Sequence, residues 1–207
     1  AWLAYEAGAF AGAPMGPGAM CIFAPYKLEN FFVEAFDVLV NKPKVAAYRA
    51  PGAPQSAHAM EIALDDLARE LEMDPIDLRL KNAVQEGDQA TYGPKFPRIG
   101  FKECLEAAKN HPNYKTALEE GTGRGVSAGF WFNVGMQSSA EVHVNENGTV
   151  TVGEGNPDIG GSRASMCIMA SETLGIEYES IRAMIGDTES TGFSNVTGGS
   201  RTTFATG

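Results

Sequence analysis

Cysteine is scarce in this chain: three residues among 207, Cys21, Cys104 and Cys167, odd in number, far apart and outside any CxxC spacing. They supply no disulfide framework and no zinc or iron-sulfur ligand set, and they suit a reducing, cytoplasmic compartment. Basic residues are outnumbered, 16 Lys and Arg against 26 Asp and Glu, for a formal net charge of -10. That balance excludes a basic nucleic-acid footprint, which needs clustered cations facing phosphates. No apolar run reaches the roughly 18 residues of a membrane span. The longest candidate, around Phe31–Val40, is broken by Glu34 and Asp37. His58, His111 and His143 are scattered, and no nucleophile-and-base set emerges.

Glycine, by contrast, is abundant: 24 residues of 207, where roughly 7% is typical. The glycines gather at Gly8–Gly18, Gly121–Gly135, Gly153–Gly161 and Gly186–Gly207, without collagen period or short repeat. They read as special backbone positions in an ordered fold. The chain is long enough for one large domain or two small ones. It opens without Met and reads as a piece of a larger protein.

Ala1–Ala11 is expected as a strand, followed by a Gly/Pro loop through Met20. Phe31–Val40 is expected to be extended, with Val33, Phe36, Val38 and Val40 in the core. The spacing of Met60, Leu64, Leu67 and Leu71 predicts a helix over Ala53–Glu72 with those four side chains inward. Asp74, Pro75 and Asp77 mark a second helix start, with Ile76, Leu80 and Ala83 inside. Phe101–Asn110 reads as a short helix carrying Leu105 and Ala108 inward. A domain boundary falls within His111–Gly123, giving parts 1–115 and 116–207. Beyond it, Gly125–Asn133, Ala140–Val144 and Thr149–Val152 read as strands, the last two joined by a type I′ turn at Asn147-Gly148. A helix over Ser162–Leu174 ends at Gly175, with Met166, Met169 or Ala170, and Thr173 or Leu174 buried. Ile181–Ile185 is a strand, and Gly186–Gly207 a loop. The class is mixed α and β in two parts.

The loop Asp158-Ile159-Gly160-Gly161-Ser162-Arg163 leads into a helix. Its glycines permit close backbone approach, and the helix start favours an anion. From the residues alone, a tight turn with an ordinary cap is the favoured reading over an anion cradle. Val196–Thr203 repeats the Gly-Gly-Ser-Arg pattern, with Gly198 and Gly199 exposing backbone, Ser200, Thr202 and Thr203 offering hydroxyls, and Arg201 a charge. Arg49, beside Pro51-Gly52, could fork an oxyanion or pair with an acidic neighbour. Gln55, Asp187 and Glu189 carry weaker signals. Cys21, Cys167, Met166 and Met169 suit a core. One of Phe130, Trp131 and Phe132 could line an aromatic substrate pocket.

Taken together, Ala47-Tyr-Arg-Ala-Pro-Gly-Ala-Pro-Gln55, Leu78-Arg-Leu-Lys-Asn82, Asp158-Ile-Gly-Gly161, Ala170-Ser-Glu-Thr-Leu-Gly-Ile176, Gly186-Asp-Thr188 and Thr197-Gly-Gly-Ser-Arg-Thr202 resemble, in order and spacing, one family. It is the molybdopterin-binding subunit of the xanthine dehydrogenase, aldehyde oxidase and aerobic carbon monoxide dehydrogenase family. The resemblance covers nearly the whole chain and implies an α+β, two-part molybdenum-hydroxylase cofactor-binding fold, present here as an incomplete fragment.

The resemblance implies a molybdopterin-type molybdenum cofactor, as the mononucleotide or the cytosine dinucleotide, whose metal is chelated by its own dithiolene, so that no protein metal ligand is expected. Arg49, Ile159, Gly160, Gly161, Ser162, Gly199, Ser200 and Thr202 would contact that cofactor, and Phe130 and Trp131 the substrate. Many members have Gly-Gln-Gly where this chain has Gly160-Gly161-Ser162, so the amide donor is missing. The family's catalytic glutamate would lie beyond Gly207, leaving these 207 residues inactive alone. The parent reaction would be hydroxylation of an aldehyde, an N-heterocycle or a related small molecule with water-derived oxygen. Electrons would pass to iron-sulfur and flavin domains or subunits. A non-catalytic binding or assembly domain is the alternative.

Overall fold

The computed structural model describes residues 8–12 and 14–207, which form two compact units meeting in sequence between Trp131 and Phe132. Most of the expected strand at Ala1–Ala11 lies outside the described residues, and Gly8–Gly12 has no regular structure.

The first unit is helical. Where a Gly/Pro loop was expected, Met15–Cys21 forms α1. Its glycines are poor helix formers, but α1 lies against the start of α2 (Ala53–Glu70), an approach that the bare Gly52 permits. Gly52 caps α2 at φ 85°, and a Cβ there would sit 2.3 Å from the Pro14 carbonyl oxygen and 2.8 Å from the Gly18 nitrogen. Ser56 Oγ, buried, donates to the Gly18 carbonyl at 2.7 Å. Tertiary closeness overrides local propensity here.

The helix α2 has the expected location but a rotated inner face. Its buried residues are Ala53, Ser56, Glu61, Leu64 and Ala68, with Met60 half-buried. Leu67 and Leu71, expected inside, are 46% and 53% exposed. The reason is a charge. Arg79, on α3 (Pro75–Asn82), is completely buried and reaches Glu61 Oε2 through Nε at 2.8 Å. Nη2 of Arg79 pairs with Asp65 at 2.8 Å, and Tyr26 Oη donates to Glu61 Oε1 at 2.5 Å. Burial and the neighbouring Glu61 carboxylate push the Tyr26 phenol pKa upward. Turning Glu61 inward to meet Arg79 carries Leu67 and Leu71 outward.

At α3 the sequence reading holds. Asp74 Oδ1 accepts from the backbone N–H of Ile76 at 2.8 Å and of Asp77 at 3.1 Å, the expected cap. Asp74 Oδ2 accepts from Tyr114 Oη at 2.9 Å. Ile76 and Ala83 are buried against Leu105 from α4 (Phe101–Asn110), while Ala108 is exposed. A one-turn helix, α5, spans Pro112–Lys115. Phe31–Val40 carries no strand, and Phe36 and Val38 are exposed while Val33 and Val40 are only partly buried. Among the described residues its backbone bond to another segment is a single one, Val40 N–H to the Gly8 carbonyl at 3.3 Å, and β-branched residues need a paired ladder to form a strand. Gly125–Trp131 is likewise extended without pairing, held by Ala128 N–H donating to Glu61 Oε2 at 2.7 Å.

The second unit is a three-stranded sheet in the order β1 (Ala140–Val144), β2 (Val150–Glu154), β3 (Ile181–Ile185). β1 and β2 are antiparallel, with Val142 opposite Val152. β2 and β3 are parallel, with Val152 opposite Ala183, joined through α6 (Ser162–Leu174) as a β-α-β crossover. The hairpin sits where expected, but only Gly148 takes a positive φ, 80°. Gly148 N–H donates to the Asn145 carbonyl at 2.9 Å and Asn145 N–H to that of Thr149 at 2.8 Å. That geometry is a type I turn followed by a left-handed glycine bulge, not type I′. The Asn147 side chain is used instead, accepting from Thr149 N–H at 3.1 Å.

Helix α6 covers the sheet with Met166 and Cys167 packed on Val150, Val152 and Ile181, and with Met169 and Ala170 at the edge of that core. Thr173 and Leu174 are exposed, and Gly175 ends the helix at φ 68°. The final segment is not all loop, because Thr202–Thr206 closes into a wide helical turn. Cys21 and Cys167 are buried and Cys104 exposed; burial pushes the Cys21 thiol up to about 11 and that of Cys167 upward. Among the described residues no helix is long and apolar enough to cross a membrane.

Two stability measurements follow from the rotated face of α2. Leu64→Ala should lower the unfolding free energy by about 2–5 kcal/mol, as buried leucine truncations do, and Leu67→Ala by less than half as much, read by urea denaturation. Glu61→Ala should cost about 3–5 kcal/mol, because it strands a buried guanidinium. An unfolding midpoint unmoved by Glu61→Ala would show that Arg79 finds other compensation.

Candidate cofactor-binding site

Both glycine loops belong to the second unit. In the first, Gly160 and Gly161 take φ 62° and 84°, and a Cβ at either would meet no atom within 4 Å. The turn therefore presents bare, open backbone. Ile159 is exposed beside it, but Ser162 is buried and its hydroxyl points back into the loop, accepting from Ile159 N–H at 3.2 Å.

The start of α6 is already occupied by a protein carboxylate. Asp158 Oδ1 accepts from Arg163 N–H at 3.1 Å, and Oδ2 pairs with Arg163 Nη2 at 3.4 Å. The amide N–H groups of Ala164 and Ser165 both turn to the Gly161 carbonyl. An internal anion thus takes the place that an external one would use. Sequence reasoning saw the turn and missed the cap, although an Asp four residues before the helix was the available signal.

The second loop differs. Gly199 has φ 65° and its carbonyl accepts from Val134 N–H at 2.9 Å, while Ser200 is exposed and itself left-handed at φ 54°. Thr202 Oγ1 is buried with no hydrogen-bond partner among the described residues. A buried hydroxyl left over is unfavourable unless something else satisfies it. Arg201, which reads in the sequence as an anion-binding charge, has 0% exposure. Its guanidinium donates from Nε to the Gly135 carbonyl at 2.8 Å, from Nη1 to that of Asn195 at 2.9 Å, and from Nη2 to that of Gln137 at 2.7 Å. Nη1 also reaches Asn156 Oδ1 at 3.2 Å. Asn156, at the root of the first loop, was not singled out by sequence, nor was Glu154.

Glu154 lies on the α6-facing side of β2 and is 2% exposed, with no hydrogen-bond partner for either carboxylate oxygen among the described residues. It borders a cavity of about 270 Å³ together with Val142, Met166 and Met169. Burial pushes its carboxyl pKa up, the Asn156 side chain pulls the other way, and the Asp158 charge adds to the rise.

The remaining candidates belong to the first unit. Arg49 is exposed, with φ 31°, and Ala50 follows at φ 51°. Two successive left-handed non-glycine residues store strain of order 1 kcal/mol each. Phe130 is half-buried against Tyr92 and Phe96, with ring centroids at 5.4 and 5.9 Å, and Trp131 is half-buried. Gln55 is exposed. Asp187 Oδ1 caps its own turn, accepting from Glu189 N–H at 3.0 Å. Among the described residues no cluster of three or more His, Cys, Asp or Glu could hold a metal.

The chain is an α+β scaffold whose second unit carries two left-handed glycine turns, the exposed Ser200 and the buried, unpartnered hydroxyl of Thr202. Two models of the molybdopterin cofactor-binding domain match it, over residues 3–83 and 98–207. The aldehyde oxidoreductase molybdenum-binding subunit PaoC of Escherichia coli O157:H7 is 35% identical over 158 residues, 72% of this chain and 21% of that protein. The aldehyde oxidoreductase of Megalodesulfovibrio gigas is 31% identical over 207 residues, 92% of this chain and 22% of that one. The crystal structure of the aldehyde oxidoreductase from Desulfovibrio desulfuricans superposes with a TM-score of 0.74 at 30% identity, covering 93% of this chain and 23% of that chain. The chain thus belongs to the molybdopterin-binding subunits of the xanthine dehydrogenase, aldehyde oxidase and carbon monoxide dehydrogenase family, and spans roughly a fifth of its relatives' length.

Glu154 offers a direct check on the second unit. Its folded pKa lies above the unfolded value, so the folded state binds more protons between the two, and stability falls as pH rises through that window. Glu154→Gln should leave stability unchanged below about pH 4 and raise it at pH 7, measured by thermal unfolding. An equal effect at both pH values would mean that Glu154 is not held out of water.

Proposed function

We propose that the intact polypeptide is a molybdenum hydroxylase that oxidises an aldehyde, an N-heterocycle or a related small molecule, with the second unit gripping its cofactor. The observation that carries this is the pairing of two left-handed turns in one unit, the open Gly160-Gly161 and the Gly199-Ser200 turn with its exposed serine, beside an unsatisfied buried hydroxyl at Thr202. Backbone amides and hydroxyls are the donors that an anionic, oxygen-rich pterin needs, and a metal held by the cofactor's own sulfurs requires no cluster from the protein.

The two turns would have different tasks. Asp158 places negative charge at the first, so Gly160 and Gly161 suit an uncharged part of the cofactor rather than its phosphate. Among the described residues no carboxylate is hydrogen-bonded into the second turn, and Ser200 and Thr202 suit the anionic end. Arg49, exposed on a strained backbone of the first unit, is a further candidate contact, and Ile159 would offer the cofactor an apolar one. Ser162 would act indirectly, by fixing the first turn. The cofactor supplies two-electron oxidation coupled to oxygen insertion from water; this chain's residues bind it, orient it and shield it. Phe130 and Trp131 would offer an aromatic wall to a flat substrate. Electrons would leave to iron-sulfur and flavin domains or subunits, and three unpaired thiols suit a reducing, cytoplasmic setting.

Aldehydes are favoured by the likeness to PaoC and to the two aldehyde oxidoreductases. N-heterocycles are favoured by the nicotinate dehydrogenase of Eubacterium barkeri, 38% identical over 86 residues. In the intact polypeptide, Gly161→Val should abolish most molybdenum and pterin content, because a branched side chain on a left-handed backbone would fill the open face. Ser200→Gly keeps the backbone freedom and removes one hydroxyl, and should lower cofactor content severalfold, measured by metal analysis and pterin fluorescence at matched folded yield. Full occupancy in both variants would remove these loops from the site. Full occupancy of the wild type without turnover on any aldehyde or N-heterocycle would favour a binding or assembly role.

A further inference from the structure

We propose that Arg201 is a positioning residue that locks the two glycine turns of the second unit into one cradle through Asn156, and that its guanidinium never touches the ligand. The inference rests on the reading of these turns as cofactor-facing, and it assigns to Arg201 the opposite of what its sequence context suggests.

The accounting of donors carries it. A guanidinium has five N–H groups in a rigid plane, and each one here has an acceptor inside the protein. Nε donates to the Gly135 carbonyl, Nη1 to Asn156 Oδ1 and the Asn195 carbonyl, and Nη2 to the Gln137 carbonyl and Ser138 Oγ. With 0% exposure and no donor left, Arg201 has nothing to offer an anion. What it does instead is join segments far apart in sequence. Residues 135–138 and 195–196 flank the second turn, and the Val134-to-Gly199 backbone bond at 2.9 Å lies beside them. Asn156 lies two residues before Asp158, whose carboxylate holds the first turn against Arg163. The amide of Asn156 donates in turn to Thr206 Oγ1 at 2.7 Å, and Thr206 Oγ1 donates to Ser138 Oγ at 3.0 Å, closing the ring around Arg201. Nearly every member is satisfied by another, which is the condition under which a buried polar network specifies one geometry.

Hydrogen exchange, followed by mass spectrometry on the full polypeptide without ligand, tests the coupling. Arg201→Lys keeps the charge but has only three donors and no plane. It should accelerate exchange by about tenfold or more in residues 133–138 and also in 158–163, while β2 keeps its wild-type protection. Asn156→Ala, the milder change, should accelerate 158–163 and leave the Val134 amide protected. Wild-type protection at 158–163 in Arg201→Lys would overturn the proposal, and so would equal acceleration in β2, which would reduce Arg201 to general stability. A second arm uses inorganic pyrophosphate as the probe. Arg201→Lys should lose most of the binding that the wild type shows, and retention within about twofold would mean that the charge itself was the ligand contact. A wild type that binds no pyrophosphate would defeat the anion reading of the second turn, while the exchange arm would still decide the coupling.

Discussion

A guanidinium can be taken out of water only if almost all of its N–H groups meet oxygens, and both units of this chain are organised by that requirement. In the first unit Arg79 is met by the carboxylates of Glu61 and Asp65, with Tyr26 and the Ala128 amide completing the set around Glu61. Arg201, in the second, is met almost wholly by backbone carbonyls and uncharged side chains. The two solutions serve different ends. Carboxylates, with the Pro75 and Glu61 carbonyls, fix the rotation of one helix against another; carbonyls of Gly135, Gln137 and Asn195 tie loop segments together.

The consequence for the site is a division of labour within repeated sequence. Two Gly-Gly-Ser-Arg segments read alike, yet their arginines end in opposite places. Arg163 is exposed on the first turn of α6 and pairs with Asp158, whereas Arg201 is fully buried. Their serines are reversed as well: Ser162 is buried and Ser200 exposed. Glycine frees the backbone for left-handed φ in both, but Gly160 and Gly161 leave open space while Gly199 is packed against Val134. What the pattern encodes is a turn, and the neighbours decide which side chain of the turn faces out.

Much of the fold was legible from local signals. Asp74-Pro75 at the start of α3, the limits of α4 and α6, Gly175 at the end of α6, and the strands β1 and β3 follow from capping chemistry and periodicity. These signals are short-ranged, so no knowledge of the rest of the chain is needed. The misreadings share a cause. α1 was hidden because its glycines have weak propensity, and it is held by packing against α2 that the bare Gly52 allows. Phe31–Val40 looked like a strand, but strand formation needs a partner, and among the described residues it has no ladder. Leu67 and Leu71 looked buried, because an apolar stripe is the usual guide to a helix's inner face.

By itself the sequence determined the family, the positions of the glycine turns and most helix ends, since each is carried by residue identity at fixed spacing. Only the tertiary structure decided which face of α2 turns inward and whether a glycine-loop arginine is a ligand group or a strut. It alone also revealed that a carboxylate already fills the start of α6. Each of those outcomes depends on a partner distant in sequence: Arg79 for Glu61, and Gly135, Gln137 and Asn156 for Arg201. Burial of charge is a property of a pair, and no single position along a chain can show it.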